Sequence, residues 1–64
     1  MLDSDFLKLV PGCVVSEGGE TYIVVSLNND NTDTLKRQRD GVIGMVTDDR
    51  LKAMKLIAVR RVYD

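Results

Sequence analysis

Residues 13 to 27 read Cys-Val-Val-Ser-Glu-Gly-Gly-Glu-Thr-Tyr-Ile-Val-Val-Ser-Leu, two β-branched runs joined by a glycine pair. Branching at Cβ stiffens the side chain and favours extended backbone. Glycine adopts positive φ at little cost, so Gly18-Gly19 suits the two-residue turn of a β-hairpin. Such a turn pairs Ser16 with Thr21, Val15 with Tyr22, Val14 with Ile23, Cys13 with Val24 and Gly12 with Val25. Strand residues alternate between faces, so one face holds Val10, Val14, Ile23, Val25 and Leu27, and the other holds Cys13, Val15, Tyr22, Val24 and Ser26. Both faces are more apolar than a one-sided sheet requires. A second cover is therefore expected, from closure into a barrel or from another subunit, and a homodimer is one form of it.

The flanking segments extend this β pattern. Ser4 can cap a helical turn through Asp5, Phe6, Leu7 and Lys8, with Phe6 turned toward the core, before Pro11 ends any helix. Asn28 to Asp33 is a polar run with no apolar anchor, read as an exposed, mobile loop. Thr34 to Arg39 and Val42 to Thr47 read as a second hairpin around Asp40-Gly41, a strong short turn signal. Its first strand is basic and is read as an edge, where lysine and arginine discourage aggregation; Val42 to Val46 is apolar on both faces and is read as interior. Thr47 followed by Asp48 and Asp49 marks a helix start, with Leu51 and Met54 facing the core and Arg50, Lys52 and Lys55 facing water. Leu56 to Tyr63 is a last strand that carries Arg60 and Arg61 near its end.

Sixty-four residues allow one domain, spanning 1–64, because a chain of this size supports a single core. The elements describe a mostly β fold: five strands with a short helix before the last. Pro11-Gly12-Cys13-Val14-Val15 followed by Tyr22-Ile23-Val24-Val25-Ser26 resembles the opening hairpin of the SH3-like small barrels, and the resemblance of architecture covers most of the chain. It implies a five-stranded SH3-like barrel; an open α+β sheet with the helix packed on one face is the alternative. Val24-Val25-Ser26-Leu27-Asn28 is similar to the second strand of the plasmid-maintenance ribonuclease toxins in that superfamily. Those toxins are longer and carry an arginine before this strand, where Glu20 and Thr21 stand here, so toxin activity is not expected.

Composition narrows the chemistry. Hydrophobic residues at 44% and charged residues at 30% match a globular protein. With no histidine and only Cys13, a tetrahedral zinc site and an internal disulfide are excluded, and a reducing compartment is expected. The acidic start Met1-Leu2-Asp3-Ser4-Asp5 lacks the basic character of an export signal, and no apolar run approaches the length of a membrane span, so a cytoplasmic location is expected. No histidine can activate Ser4, Ser16, Ser26 or Cys13, so no catalytic residue is assigned and a non-enzymatic role is expected. Asn29, Asn31 and Asp33 imitate a calcium loop, but Thr34 stands where glycine is needed and Asp40 where a glutamate closes the site. Asp48 and Asp49 read as helix-cap acids. Gly18-Gly19 lacks the helix and lysine of a phosphate loop, so no cofactor is expected.

Net charge is −1, yet it is unevenly distributed: residues 1–35 carry six acids against Lys8, and residues 36–64 carry eight bases against four acids. If the fold gathers the bases, they form an anion-attracting patch. Lys36, Arg37, Arg39, Lys52, Lys55, Arg60 and Arg61 are the candidate binding residues, able to contact phosphates by charge and hydrogen bonding. The expected function is a small regulatory binding module that engages nucleic acid or a nucleoprotein complex. The alternative is a protein-binding module, such as an inhibitor or accessory subunit from a phage or mobile element, that uses an apolar sheet face.

Overall fold

A computed structural model describes residues 8–59 of the chain. The Ser4 turn with Phe6, and the end of the last strand with Arg60, Arg61 and Tyr63, lie outside the described residues. The elements run β1 (Val14–Glu17), β2 (Glu20–Leu27), β3 (Thr32–Arg37), β4 (Ile43–Thr47), α1 (Asp48–Ala53) and β5 (Lys55–Ala58). All strand pairs are antiparallel, in the order β4-β3-β2-β1-β5. The fold is mostly β with one short helix before the last strand, as expected. Among the described residues β4 and β5 do not pair, so the sheet is open, which is the alternative form and not the closed barrel.

The first hairpin follows its glycine pair. Gly18 and Gly19 take φ of 58° and 85°, the left-handed values that a tight reversal with right-twisted strands demands. The register pairs Val14 with Ile23, Val15 with Tyr22 and Ser16 with Thr21, and the Val24 amide donates to the Cys13 carbonyl at 2.9 Å. Beyond Val24 the expected alternation fails. Val24 pairs with Leu35 and Ser26 with Thr34, so Val25 is an extra, bulged residue. Ser26 is thereby moved to the Thr34 face and Leu27 to the Asp33 face, and the Gly12 amide bonds to the Val24 carbonyl at 2.7 Å rather than opposing Val25.

Three other expectations are corrected. β3 starts at Thr32, so the Asn28–Asp33 run is not one exposed loop: Asp33 is buried within the sheet. The shortened reversal is anchored by Asn28, whose Nδ2 donates to the hydroxyls of Thr32 and Thr34, and by Asn31 at φ 66°. The second reversal is also longer than a two-residue Asp-Gly turn, because Arg37 pairs across to Val42 through an amide-to-carbonyl bond of 2.9 Å. Asp40 drives this. Its carboxylate accepts from Arg37 at 2.8 and 2.9 Å and from the Val42 amide at 3.2 Å, while Gly41 at φ 76° bends the chain back. Finally, basic β3 lies between β2 and β4, and apolar β4 is the edge, the reverse of the expected arrangement. Lys36 can occupy an interior strand because its face of the sheet is open, with Ile23 and Ile43 as its cross-strand neighbours.

The main core cluster lies on the helix side, while Val14 is buried on the other side of the sheet. Cys13, Val15, Val24 and Leu35 from the sheet meet Leu51 and Met54, and Leu9, Val10, Tyr22, Val46 and Leu56 pack around them. α1 forms where expected: the Thr47 hydroxyl accepts from the Arg50 amide at 3.2 Å, and Asp48 and Asp49 occupy its first turn. Leu51 and Met54, three apart, point inward while Lys52 and Lys55 are exposed. Buried Lys8 donates its Nζ to the Lys52 carbonyl at 2.8 Å, setting a cation at the helix C-terminus. Among the described residues no helix is long and apolar enough to cross a membrane.

The two sides of the sheet should therefore respond differently to truncation. Leu51→Ala removes a fully buried side chain and is expected to lower unfolding free energy by about 2–5 kcal/mol. Ile43→Ala, on the open side, is expected to stay within about 0.5 kcal/mol of the parent. Urea denaturation of both variants checks the contrast.

Candidate functional site

The structure separates the candidate basic residues. Lys36 and Lys55 both lie on the open face, but on β3 and β5, three strand spacings or roughly 14 Å apart. Arg37 is on the core-side row with Tyr22 and forks onto Asp40. Arg39, in the following turn, reaches Glu20 at 3.4 Å. Arg50 binds Glu17 through Nη2 at 2.6 Å and through Nε at 3.2 Å to both carboxylate oxygens, tying α1 to the first hairpin. These partners act on each other's protons: the arginine hydrogen bonds hold Glu17 and Asp40 below the usual carboxylate range and raise Arg50 and Arg37. Lys52 stands on α1 among carboxylates, and Arg60 and Arg61 lie outside the described residues. The described candidates are thus spread over both faces of the sheet, the second turn and α1.

Lys52 opens onto a polar depression lined by Asp30, Asn31, Thr32, Thr47, Asp48 and Asp49. Behind it, Asp33 is 1% exposed, and its Oδ2 has no hydrogen-bond partner. Burial, the neighbouring Asp48 carboxyl and the charge of Asp30 push Asp33 up to about 6, with Lys52 pulling the other way. Asp30 itself is lowered by the Thr32 hydroxyl. No group of three or more acids and cysteines among the described residues is arranged to hold a metal ion. Asp33 closes a polar run that reads as loop, yet it carries a strand signal: it is two residues before Leu35, on the same strand face.

The largest feature that reasoning from charge passed over is apolar. The register puts Ile23, Ile43 and Met45 on the face that Lys36 interrupts; Val14 shares that face but is buried, and Ile23 is half-buried. Met45 is 69% and Ile43 56% exposed, and Val25, Ile57 and Val59 are also exposed. On the opposite side of β4, Gly44 leaves an open groove of about 120 Å³ between Leu35, Val42, Val46 and Met54, rimmed by Arg37 and Arg50. A Cβ added at Gly44 would meet nothing within 4 Å. Among the described residues β4 pairs only with β3, so one row of its amides and carbonyls has no described strand beside it.

Asp33 generates a pH prediction. Its folded-state affinity for a proton exceeds that of the unfolded chain, so the folded form holds a proton between about pH 4 and 6 that the unfolded form releases. Stability therefore falls as pH rises through that window, and the loss is complete above it. Asp33→Asn is expected to stabilise the protein by on the order of 2 kcal/mol near pH 7.5, with the gain vanishing below about pH 4. Paired urea titrations at the two pH values measure it. Comparison with family models, curated proteins and solved structures found no match to this chain.

Proposed function

We propose that this chain is a small, non-catalytic protein-binding module of the SH3-like group, and that it engages its partner through the open sheet face and the β4 edge. The strand order β4-β3-β2-β1-β5 with a short helix before β5 supports the placement in that group. The observation that carries the binding role is the exposure of Ile43 and Met45 on a strand whose outer edge is unpaired among the described residues. Exposed apolar surface on a strand edge is the usual starting point for β-augmentation, in which backbone bonds supply affinity and alternate side chains supply specificity. A nucleic-acid interface has less in its favour. Arg37 and Arg39 already hold Asp40 and Glu20, and a phosphate would have to compete with those carboxylates.

A photo-reactive benzoylphenylalanine in place of Met45, irradiated in cells of the source organism, tests this reading. The expected result is a protease-sensitive adduct of defined mass that disappears when Ile43→Lys is added, and that a probe in place of Lys52 does not form. A nuclease-sensitive adduct would turn the assignment to nucleic acid. Absence of any adduct would overturn the role of this surface.

A further inference from the structure

We infer that the occupant of the β4 edge is a second copy of this chain, paired antiparallel about a two-fold axis at Gly44; the inference rests on the reading of β4 as the interaction edge. Backbone direction comes first. The Arg37 amide donates to the Val42 carbonyl and the Asp48 amide to the Asn31 carbonyl, both at 2.9 Å, so even-numbered positions of this segment turn their polar groups toward β3. By the alternation of an antiparallel ladder, the amides and carbonyls of Ile43 and Met45 face outward. Under a two-fold at Gly44, Ile43 meets Met45 of the second copy and Met45 meets Ile43, so both positions exchange backbone bonds.

Side chains agree with that axis. Val42-Ile43-Gly44-Met45-Val46 is nearly symmetric in size about its glycine. Ile43 and Met45, the two exposed apolar residues of β4 on the open face, would cover each other across the junction. On the core side the two Gly44 residues meet without side chains, and Val42 of each copy lies opposite Val46 of the other. That pairing closes the grooves that Gly44 leaves open.

The other edge explains why the strand would choose its own copy. β5 carries Lys55 and has a register shift against β1 opposite Val14/Val15, two devices that discourage pairing. β4 has a regular register, no proline and no charged residue from Ile43 to Thr47. A head-to-tail contact of β4 with β5 would propagate from copy to copy, whereas the two-fold contact uses both β4 edges and closes as a dimer. An edge of five residues is smaller than a standard interface, so dissociation is expected at on the order of 10–100 μM.

Sedimentation velocity of the full chain, from about 5 μM to 1 mM, provides the test. The expected result is a shift from one to two chain masses, with the Ile43 and Met45 amides gaining hydrogen-exchange protection in step with it. Met45→Pro removes only an outward amide, and Ile43→Lys adds a charge to the edge. Both variants are expected to remain monomeric with unchanged circular dichroism. The parent remaining monomeric at every concentration, or a dimer that leaves those two amides unprotected, would overturn the inference; neither depends on a variant that folds. A monomeric parent whose position 45 still cross-links to a different protein would sink the second copy while leaving the binding-module reading in place.

Discussion

The packing of Leu51 and Met54 onto Val15, Val24 and Leu35 is the contact on which the rest of this small protein depends. A six-residue helix has no stability of its own, since nucleating helix is costly and few bonds repay it. A single sheet with one bare apolar side is no better off. Each supplies the surface the other lacks. The local devices around α1 serve this contact: Thr47 and the two aspartates define its start, Lys8 satisfies a carbonyl at its end, and Arg50 ties it to Glu17. The surface ion pairs among these orient elements more than they stabilise them, because exposed pairs gain little over water.

That arrangement also decides what remains outside. With the helix on one side, the sheet has nothing to place over Ile43, Met45 and Val25 among the described residues. Short-range pairing meanwhile engages the arginines, as Arg37 shapes its own turn with Asp40 and Arg39 leans on Glu20. The charge segregation visible along the chain is therefore partly undone in space, since acids from the first half meet bases from the second at Glu17–Arg50 and Glu20–Arg39. What the surface offers a partner is shape, apolar area and unpaired backbone more than charge.

Where a local rule has only one good solution, the fold was legible in the residues. Gly18-Gly19 admits one turn and hence one register, and Thr47-Asp48-Asp49 with Leu51 and Met54 three apart admits one helix orientation. The failures share a cause, which is that strand neighbours are chosen by the whole chain. Whether β3 or β4 is the edge depends on which strand β2 accepts, and no feature of Lys36 or Val42 alone decides it. The bulge at Val25 is invisible for the same reason: Val24, Val25 and Ser26 continue the alternation without a break, and only the pairing with Leu35 and Thr34 exposes the extra residue. Asp33 was misplaced because a polar residue beside a polar loop looks like more loop. The arginine ion pairs were hidden because two of their acids lie about twenty or thirty positions away.

The sheet is a meander except at one place, where β1 pairs with β5. Val14 lies beside Ala58, on the order of 40 residues away along the chain, and Lys8 reaches the Lys52 carbonyl across a similar distance. Every other strand pair is a hairpin that can close locally and quickly. Joining the first strand to the last means ordering nearly the whole backbone before the reward arrives, so the free-energy barrier to folding is set by chain entropy at this seam. The time the polypeptide takes to reach its native form is thus expected to follow the long-range β1–β5 closure, and to be slower than helical chains of equal length.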